Sequence, residues 1–335
     1  MADVGGNVTG MEGAGFMDSG LKGRSLLLTE PRTLEWTEKT LPSPGTDEVL
    51  VRTDRGAMSV GSELPAYMGN ERRSSPPGHP RMTGYESVGT VVECGSSVGE
   101  GLRVGDRIVG FYGHRTHAVV SEGKVIRVPD GVTDELALLS ILSCDVAKGI
   151  RKLNVKPEEP SLVVGAGAIG LLTILVMGAY GAANVDVVEP DGHRLSKATV
   201  FGARSAMKPE EATKCRKTYS VGVECSGRGA AFGILQKRMR PGGRICVLSD
   251  GDVETLSLEP DFHEKELSVV GSSDGWDYAG HARWYFDLLR RDESLRRNLE
   301  SLFELRVSAK ELPHVFEKTA AGDVSPIKVL VEYGR

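Results

Sequence analysis

The chain has 335 residues, of which 40% are hydrophobic and 26% are charged, and its formal net charge at pH 7 is −5. This length exceeds what one ordinary hydrophobic core holds, so two domains, or one domain with a large insertion, are expected. Acidic and basic residues are mixed along the chain, which argues against nucleic acid or an anionic membrane as a partner. The longest apolar run, AIGLLTILVMGAYGAA from Ala168, is too short and too rich in glycine to span a membrane.

Cysteine usage and the N-terminal sequence both bear on the cellular compartment. The five cysteines are widely spread and form no Cys-x-x-Cys pair: Cys94, Cys144, Cys215, Cys225 and Cys246. This pattern is typical of a reducing compartment, so we expect a cytoplasmic protein with neither disulfides nor a cysteine-built zinc site. Residues 1–20 are rich in glycine and lack the charged start and apolar stretch of a signal peptide, so we interpret them as a flexible tail.

Residues 21–154 predict a β-rich domain. Short runs such as RSLLLTE, DEVLVRT and HAVVS are separated by Gly, Pro and Asp up to about Pro129. Strands of this length with frequent turn signals indicate a compact, antiparallel, barrel-like domain. The Pro-, Gly- and Ser-rich segment 68–84 is expected to be a long loop with a binding function. A helical apolar spacing follows in DELALLSILSCDVAKGIRKL.

Residues 155–298 predict a different architecture. Apolar strands such as SLVV, NVDVVE and YSVGVE alternate there with helical stretches. This alternation indicates βαβ units and a parallel, doubly wound sheet. The tail, residues 299–335, has the pattern of strand, helix and strand, and we expect it to return to the first domain. The predicted fold class is therefore α/β.

A glycine pattern opens the second domain. The run VVGAGAIGLL places Gly165, Gly167 and Gly170 directly after an apolar strand and at the start of a helix. Gly165 permits the tight turn, Gly167 lets the backbone approach a pyrophosphate, and Gly170 lets helix and strand pack closely. The N–H groups of the helix start, at Ala168 and Ile169, favour phosphate binding. Together these features predict a dinucleotide site.

The ends of neighbouring strands refine the choice of cofactor. Glu189 ends the strand NVDVVE, and an acid there accepts hydrogen bonds from the adenosine ribose and repels a 2′-phosphate, which favours NAD. An ordinary strand-end carboxylate is the alternative interpretation. Arg194 and Lys197 lie close enough in sequence to bind a 2′-phosphate, so NADP stays an alternative. Other strand ends are expected to line the cofactor edge: Cys225, Ser226, Ser249, Ser272 and Ser273.

At this point the chain resembles the medium-chain dehydrogenase/reductase superfamily, of the zinc-type alcohol and polyol dehydrogenase kind. The resemblance rests on segments in the right order, among them LPSPGTDEVLVR, GYESVGTVVECGSSV, LVVGAGAIGLL, MRPGGRICVLS and SPIKVLVEY. It implies a GroES-like catalytic domain, an inserted Rossmann domain, and a cleft between them that holds nicotinamide and substrate. A homodimer or higher homo-oligomer is expected.

Departures from that superfamily concern zinc. Where zinc-binding members have a cysteine, a histidine and a third cysteine or glutamate, this chain has Val60, Tyr85 and Ser140. Valine cannot ligate, and neutral hydroxyl groups are poor zinc ligands. The four-cysteine lobe of many relatives is also missing, and His114 and His117 have no third ligand nearby in sequence. We therefore predict a protein that binds no zinc.

The same segments supply candidate catalytic groups. A tyrosine hydroxyl can donate a hydrogen bond or a proton to a developing alkoxide, so Tyr85 either takes over the role of the metal or only fills its volume. Ser62 matches the residue that contacts the substrate hydroxyl in zinc relatives, although the next member of that relay is Pro65 here. Ser59 is a further hydroxyl candidate. Glu86, which the superfamily pattern retains, is a candidate too, but holding a loop or an arginine is the favoured interpretation.

Three functions stay open. The first is a zinc-independent dehydrogenase that moves hydride between NAD(P) and a secondary alcohol or ketone. The SVGSE segment, interpreted as a loop, resembles that of zinc-free members acting on hydroxylated biosynthetic intermediates, including the bacteriochlorophyllide hydroxyethyl dehydrogenase type. The second is an enoyl or quinone reductase acting on a conjugated C=C bond, and the third is a dinucleotide-binding protein without catalysis. We favour the first, with a small-molecule substrate, because the local sequence is closer to the polyol-type branch.

Overall fold

The computed structural model describes residues 18–72, 78–249 and 254–334. Within them the chain divides into two compact units. The first comprises residues 18–70, 78–141 and 278–334, and the second comprises residues 71–72, 142–249 and 254–277. Most of the predicted tail, residues 1–17, lies outside the described residues, and the first strand begins at Asp18.

The first unit is built mainly of antiparallel strands. Runs rich in apolar and β-branched residues, bounded by Gly, Pro and Asp, form them. The elements up to residue 153 are β1 (Asp18–Glu30), β2 (Thr33–Pro42), β3 (Glu48–Met58), α1 (Val60–Met68), β4 (Arg81–Met82), β5 (Glu86–Cys94), β6 (Arg107–Gly110), β7 (His117–Ser121), a 3₁₀ turn at Glu122–Lys124, β8 (Val125–Arg127) and α2 (Asp134–Leu153). The segment 68–84, predicted as one long loop, contains β4, which pairs with β1 and aligns Met82 with Leu27.

The second unit alternates strands and helices. Its elements are β9 (Ser161–Val164), α3 (Ala168–Ala179), β10 (Val185–Val188), α4 (Gly192–Val200), β11 (Ser205–Met207), α5 (Pro209–Lys214), β12 (Tyr219–Glu224), α6 (Gly229–Arg238), β13 (Met239–Val247), α7 (Pro260–Glu264) and β14 (Ser268–Gly271). The strands form a parallel sheet in the order β11-β10-β9-β12-β13-β14. The strand order reverses between β9 and β12, and sheets of this kind bind ligands outside the carboxyl ends of the strands at such a point.

The C-terminal residues rejoin the first unit. They form α8 (Tyr278–Arg291), α9 (Glu293–Glu300), β15 (Phe303–Ser308), α10 (Leu312–Ala321) and β16 (Lys328–Glu332). Strand β16 pairs antiparallel with β3 and parallel with β15, which gives the sheet order β15-β16-β3-β5-β6-β8, with β7 also on β3. The predicted fold class, a GroES-like β-rich domain with an inserted doubly wound Rossmann sheet, is confirmed. The domain bounds at about 154 and 298 stay a prediction, because a compact unit is not by that fact a separately folding domain.

Each unit has its own apolar core. In the first, Leu26, Met58, Phe316 and Val331 belong to one buried cluster. In the second, a buried cluster includes Leu162, Phe232, Leu235 and Ile245. A fully buried side chain of this size stabilises the fold by about 1.5–3 kcal/mol relative to an exposed one. No helix of the described residues is both long enough and apolar enough to cross a membrane.

A tight backbone approach at Gly89 of β5 gives a test of this packing. A Cβ at that position would lie 2.3 Å from the Arg52 carbonyl oxygen and 2.6 Å from a methyl group of Val51. We expect Gly89→Ala to lower the free energy of unfolding by about 1–3 kcal/mol, because the strands must move apart. Gly99→Ala is the matched control, since its Cβ would make only an ordinary contact at 3.7 Å. Equal midpoints of thermal unfolding for the two variants would contradict this packing.

Candidate active site

The segment around Ser62, predicted as a loop, is the helix α1. The carbonyl oxygen of Ser59 accepts the N–H groups of Ser62 at 3.2 Å and of Glu63 at 2.9 Å. The Glu63 carboxylate accepts the Ser59 N–H at 2.8 Å, which satisfies a donor at the helix start. Gly69 follows the helix with a φ of 69°. The loop prediction is therefore wrong, because local capping starts this helix without a clear apolar periodicity.

A buried histidine holds α1 in place. His114 is fully buried, its Nε2 lies 3.1 Å from Glu63 Oε2, and its Nδ1 lies 3.4 Å from the Tyr333 hydroxyl. Gly84 passes over the ring with a φ of 70°, and a Cβ there would lie 2.6 Å from it. Both ring nitrogens of His114 thus have partners within the first unit. The histidine links α1 to the end of β16.

Tyr85 immediately precedes β5, and its hydroxyl meets that of Ser62. The two oxygen atoms lie 3.3 Å apart, and either can donate. Although the side chain as a whole is only half-buried, desolvation of the hydroxyl, followed by the negative charge of Glu86, holds the Tyr85 pKa well above its usual range. Tyr85 is therefore a neutral phenol at physiological pH.

A buried ion pair lies behind these hydroxyl groups. Lys328 and Glu86 are 0% and 1% exposed. Lys328 Nζ donates to Glu86 Oε1 at 2.9 Å, lies 2.8 Å from Oε2, and donates to Ser59 Oγ at 2.9 Å. Ser59 Oγ in turn donates to Glu86 Oε1 at 2.8 Å. Burial raises the pKa of Glu86, and Lys328 and Ser59 oppose that shift. The four predicted catalytic residues, Tyr85, Ser62, Glu86 and Ser59, thus lie together in one unit.

Sequence reasoning missed Lys328. It predicts that Glu86 holds a loop or an arginine, whereas its partner is a lysine 242 positions along the chain. The available signal is the run IKVLVEY, in which a lysine stands at the start of an otherwise apolar strand. Such a lysine must either reach water or pair its charge. The partner could not be named from sequence, because nothing local connects β16 with β5.

The residues at the superfamily's zinc positions do not fit zinc. Val60 is a hydrocarbon that packs against the apolar cluster around Leu312. Ser140 is buried in α2 and donates its hydroxyl to the Ala137 carbonyl oxygen at 2.6 Å. Tyr85 is a neutral phenol, which is a poor zinc ligand. Across residues 18–72, 78–249 and 254–334, no three His, Cys, Asp or Glu side chains group so as to hold a metal ion. The donor atoms at these three positions therefore do not match the chemistry of a zinc site.

In the second unit the glycine turn joins β9 to α3. Gly165 has a φ of 91°, and a Cβ at Gly170 would lie 1.9 Å from the Gly165 carbonyl oxygen. The middle glycine has open space instead of a close neighbour, because nothing lies within 4 Å of where a Cβ of Gly167 would be. Gly167 precedes the first turn of α3 without a side-chain cap. The N–H groups from Ala168 onward therefore face a space that a phosphate can fill.

Glu189 follows β10 on the same edge of the sheet. It is 5% exposed, and its carboxylate accepts the N–H groups of Ala166 at 2.7 Å and Asp191 at 3.0 Å. The carboxylate is thus held against the glycine turn, where a dinucleotide site of this kind has its ribose-binding acid. Arg194 lies in the first turn of α4, where its N–H donates to Asp191 Oδ1 at 2.9 Å. Lys197 lies one turn further on.

A second buried carboxylate, Glu224, ends β12. It accepts the N–H groups of Ser226 at 2.8 Å and Gly227 at 3.0 Å, and also the hydroxyls of Ser226 and Ser249. Sequence reasoning placed the serines at the cofactor edge but missed the glutamate that orients them; an acid ending the apolar run YSVGVE is the signal. Within the described chain, the buried Ser272 hydroxyl after β14 has no hydrogen-bond partner, as expected of a group that awaits a ligand atom.

Two further residues predicted at the cofactor edge, Cys225 and Ser273, make no hydrogen bond to Glu224. Cys225 Sγ lies 3.7 Å from the Thr173 hydroxyl of α3. Burial, followed by the charge of Glu224, raises the Cys225 pKa well above its usual range, so the thiol is neutral and unreactive. Ser273 is exposed beyond β14.

A GroES-like unit and a Rossmann sheet with a glycine turn and a strand-end acid define a dinucleotide-dependent class of fold. Among curated proteins, the chain is 27% identical over 343 aligned positions to the L-threonine 3-dehydrogenase of Chelativorans sp. strain BNC1, across 91% of this chain and 97% of that protein. No known protein family matches it at the level of a family profile.

Solved structures share the fold. The (2R,3R)-butanediol dehydrogenase of Bacillus subtilis superposes with a TM-score of 0.77 at 20% identity, over 92% of this chain and 99% of that one. A protein of Escherichia coli CFT073 described as a short chain alcohol dehydrogenase and solved with NADH superposes with a TM-score of 0.77 at 21% identity, over 93% of this chain and 99% of that one. These similarities support the medium-chain dehydrogenase/reductase superfamily and an oxidoreductase activity.

Proposed function

We propose that this protein is a zinc-independent, NAD-dependent dehydrogenase that transfers hydride between the nicotinamide and a secondary alcohol or its ketone. The observation that carries the proposal is the contact of the Tyr85 and Ser62 hydroxyls at 3.3 Å, at positions where zinc-binding members have a ligand and a proton relay. Two relatives are named for carbon 3 of threonine and for a butanediol, both of which carry secondary hydroxyl groups. Their names support this substrate class.

Residues of the second unit fit the dinucleotide. The open space at Gly167 admits a pyrophosphate against the start of α3, and Glu189 can accept hydrogen bonds from ribose hydroxyls. The relative solved with NADH supports a nicotinamide cofactor, which when bound supplies or accepts the hydride. The negative charge of Glu189 repels a 2′-phosphate, so NAD is the proposed cofactor, with NADP as the alternative.

Tyr85 and Ser62 would hold the substrate oxygen. A hydroxyl group can both donate and accept hydrogen bonds, so this pair fits an alcohol as well as a ketone. During reduction, negative charge grows on the carbonyl oxygen, and a proton donated there stabilises the transition state. General acid catalysis of this kind contributes about 10²–10⁴-fold in rate. The pair would thereby do by proton transfer what zinc does by charge.

Turnover with defined probes tests the proposal. We expect the purified protein to reduce NAD with L-threonine, (2R,3R)-butanediol or another secondary alcohol, and to keep this activity in excess EDTA, because Val60, Tyr85 and Ser140 are not good zinc ligands. NADH absorbance measures the rate, and metal analysis should find zinc far below one ion per chain. If the protein reduces 2-cyclohexen-1-one but turns over no alcohol or ketone, it is a C=C reductase and the proposal is wrong. One zinc ion per chain would contradict metal independence.

Removal of one hydroxyl tests the role of Tyr85. We expect Tyr85→Phe to lower kcat about 100-fold, because the proton donor is lost, while the Kd for NADH stays the same. Tyr112→Phe is the matched control, since Tyr112 is also a tyrosine of the first unit with a buried hydroxyl. An unchanged kcat in Tyr85→Phe would mean that the ring only fills the volume of a histidine and a metal.

The choice of nucleotide can be tested at Glu189. We expect Glu189→Gln to raise the Kd for NADH about 10-fold, equivalent to about 1.4 kcal/mol. The difference between the Kd for NADPH and the Kd for NADH should become smaller, because the negative charge that repels the 2′-phosphate is gone. Fluorescence titration with both nucleotides measures this. Asp191→Asn is the control, because that carboxylate caps α4. Tighter binding of NADPH than NADH by the unaltered protein would reverse the proposed preference.

A cytoplasmic location, a homodimer or higher homo-oligomer, and a small-molecule substrate complete the proposal. All five cysteines are free thiols, and burial raises the pKa of Cys144 to about 11. Free, largely neutral thiols suit a reducing compartment.

A further inference from the structure

We propose that Glu224 turns the Ser249 hydroxyl into a hydrogen-bond acceptor for the carboxamide of the nicotinamide. This acceptor selects a carboxamide over a carboxylate on the pyridine ring. Ser249 contacts the cofactor, and Glu224 is a positioning residue that acts through it. The inference rests on the proposed function, because it concerns the dinucleotide of the proposed reaction. It adds which end of the cofactor these side chains recognise and which analogues they reject.

Glu224 is a fully buried carboxylate whose hydrogen-bond partners in the described chain are all neutral. Its Oε1 accepts the N–H groups of Ser226 at 2.8 Å and Gly227 at 3.0 Å. The hydroxyls of Ser226 and Ser249 complete this set of donors. A buried charge is stable only when it is paired or well hydrogen-bonded, so each of these donors is needed by the carboxylate and is held firmly by it.

These contacts fix the direction in which the two hydroxyls point their protons. A carboxylate can only accept, and a serine hydroxyl has one proton and two lone pairs, so each serine gives its proton to Glu224. Ser226 Oγ also accepts the N–H of Arg228 at 3.1 Å. Within the described residues, Glu224 is the single hydrogen-bond partner of the Ser249 hydroxyl. Ser249 therefore presents two lone pairs, and no proton, to a ligand.

The main chain of Glu224 holds Ser249 as well. The carbonyl oxygen of Glu224 accepts the N–H groups of Leu248 at 2.8 Å and Ser249 at 3.2 Å. A Cβ at Gly227 would lie 3.9 Å from Ser249 Oγ, so the chain after β12 runs alongside this hydroxyl. Ser249 is only half-buried. Its oxygen is thus fixed from one side and open to a ligand from the other.

The place of Ser249 in the sheet assigns it to the nicotinamide half of the cofactor. A doubly wound sheet binds one nucleotide on each side of the point where the strand order reverses. Glu189, after β10, marks the adenosine side, whereas Glu224 ends β12 and Ser249 follows β13 on the other side. Ser226 adjoins the glycine turn, since a Cβ at Gly165 would lie 2.9 Å from the Ser226 Cβ. Neighbouring strands are about 4.8 Å apart, so Ser249 lies one strand further from the pyrophosphate site than Ser226.

The polar groups of the nicotinamide half identify what this acceptor binds. An ionised phosphate only accepts, so it does not suit the lone pairs of Ser249. Ribose hydroxyls can donate or accept, so they do not require a fixed polarity. The carboxamide NH₂ can only donate, and it matches an oxygen that can only accept. A carboxylate in its place would face those lone pairs and the charge of Glu224, and such unpaired, repelling groups are what reject a wrong ligand.

Equilibrium binding of three dinucleotides, without any substrate, tests this inference. NAD⁺ carries the carboxamide, 3-acetylpyridine adenine dinucleotide has a methyl group in place of its NH₂, and nicotinic acid adenine dinucleotide has a negative oxygen there. We expect the Kd of the acetyl analogue to be about 10-fold above that of NAD⁺, because one hydrogen bond is lost. The Kd of the carboxylate analogue should be about 100-fold above that of NAD⁺, because the lone pairs then face a negative charge. Isothermal titration calorimetry measures all three.

Ser249→Ala separates this contact from other effects on binding. We expect this variant to raise the Kd of NAD⁺ about 10-fold. The Kd of the acetyl analogue should change less than about twofold, because that analogue offers no N–H to Ser249. A merely structural role of Ser249 would weaken both dinucleotides equally. Ser205→Ala is the matched control and should change neither Kd, because Ser205 is an exposed serine at the start of β11, the edge of the sheet opposite to the cofactor.

Glu224→Gln tests the positioning role. The amide keeps an acceptor oxygen but has no charge, and its NH₂ can donate to Ser249, so the polarity of that hydroxyl is no longer fixed. We expect the ratio between the Kd of the carboxylate analogue and the Kd of NAD⁺ to fall about 10-fold. An unchanged ratio in the folded variant overturns the role of Glu224. If the variant does not fold, the Kd values of the unaltered protein and of Ser249→Ala decide the inference.

The binding data also separate failure of this inference from failure of the proposed function. If the unaltered protein binds NAD⁺ and both analogues with Kd values within threefold of one another, the inference is overturned and the proposed function stands. Equal weakening of NAD⁺ and the acetyl analogue by Ser249→Ala has the same meaning. If NAD⁺ does not bind at all, the proposed function fails together with the inference.

Discussion

Taking an ammonium group and a carboxylate out of water costs several kcal/mol per ion, and the pair is stable only where their geometry and further hydrogen bonds compensate. The first unit does this with Lys328 and Glu86. The lysine belongs to β16, the glutamate to β5, and the pair is joined to Ser59, the residue before α1. One electrostatic contact therefore fixes three separate parts of the chain to one another. The Ser59 carbonyl oxygen also accepts the N–H of Ser62, whose hydroxyl lies 3.3 Å from that of Tyr85.

In the proposed function, hydroxyl groups take the place of a metal, and this would change what such a site can tolerate. A zinc ion stabilises an alkoxide by its charge without moving a proton. A neutral phenol with a raised pKa can only hydrogen-bond that oxygen or exchange a proton with it. Under the proposed function, charge on the substrate oxygen would therefore stay small, and proton movement would keep pace with hydride movement. The buried pair of opposite charges behind the hydroxyls, Lys328 and Glu86, leaves no net charge of its own in the resting site.

Sequence patterns revealed the parts of the fold that depend on local physics. The glycine turn and the alternation of strands with helices predict the Rossmann sheet, since turn sterics and burial periodicity act over a few residues. Glu189 follows from the same kind of pattern, whereas Tyr85 was singled out by the resemblance to zinc-binding relatives. The helix α1 does not, because a glutamate cap rather than an apolar face starts it. Lys328 and Glu224 were missed because their partners are identified only by folding, across 242 positions in the case of Lys328.

The distance along the chain between Ser59 and Lys328, 269 positions, has a consequence for biosynthesis. Translation proceeds from the N-terminus, and domains generally fold as units while it does so. Strands β9 to β14 are synthesised before β16. The hydroxyl cluster, by contrast, has an unpaired buried carboxylate until β16 adds to β3. The charge of Glu86 therefore stays unpaired by Lys328 until one of the last strands to be synthesised has joined the sheet.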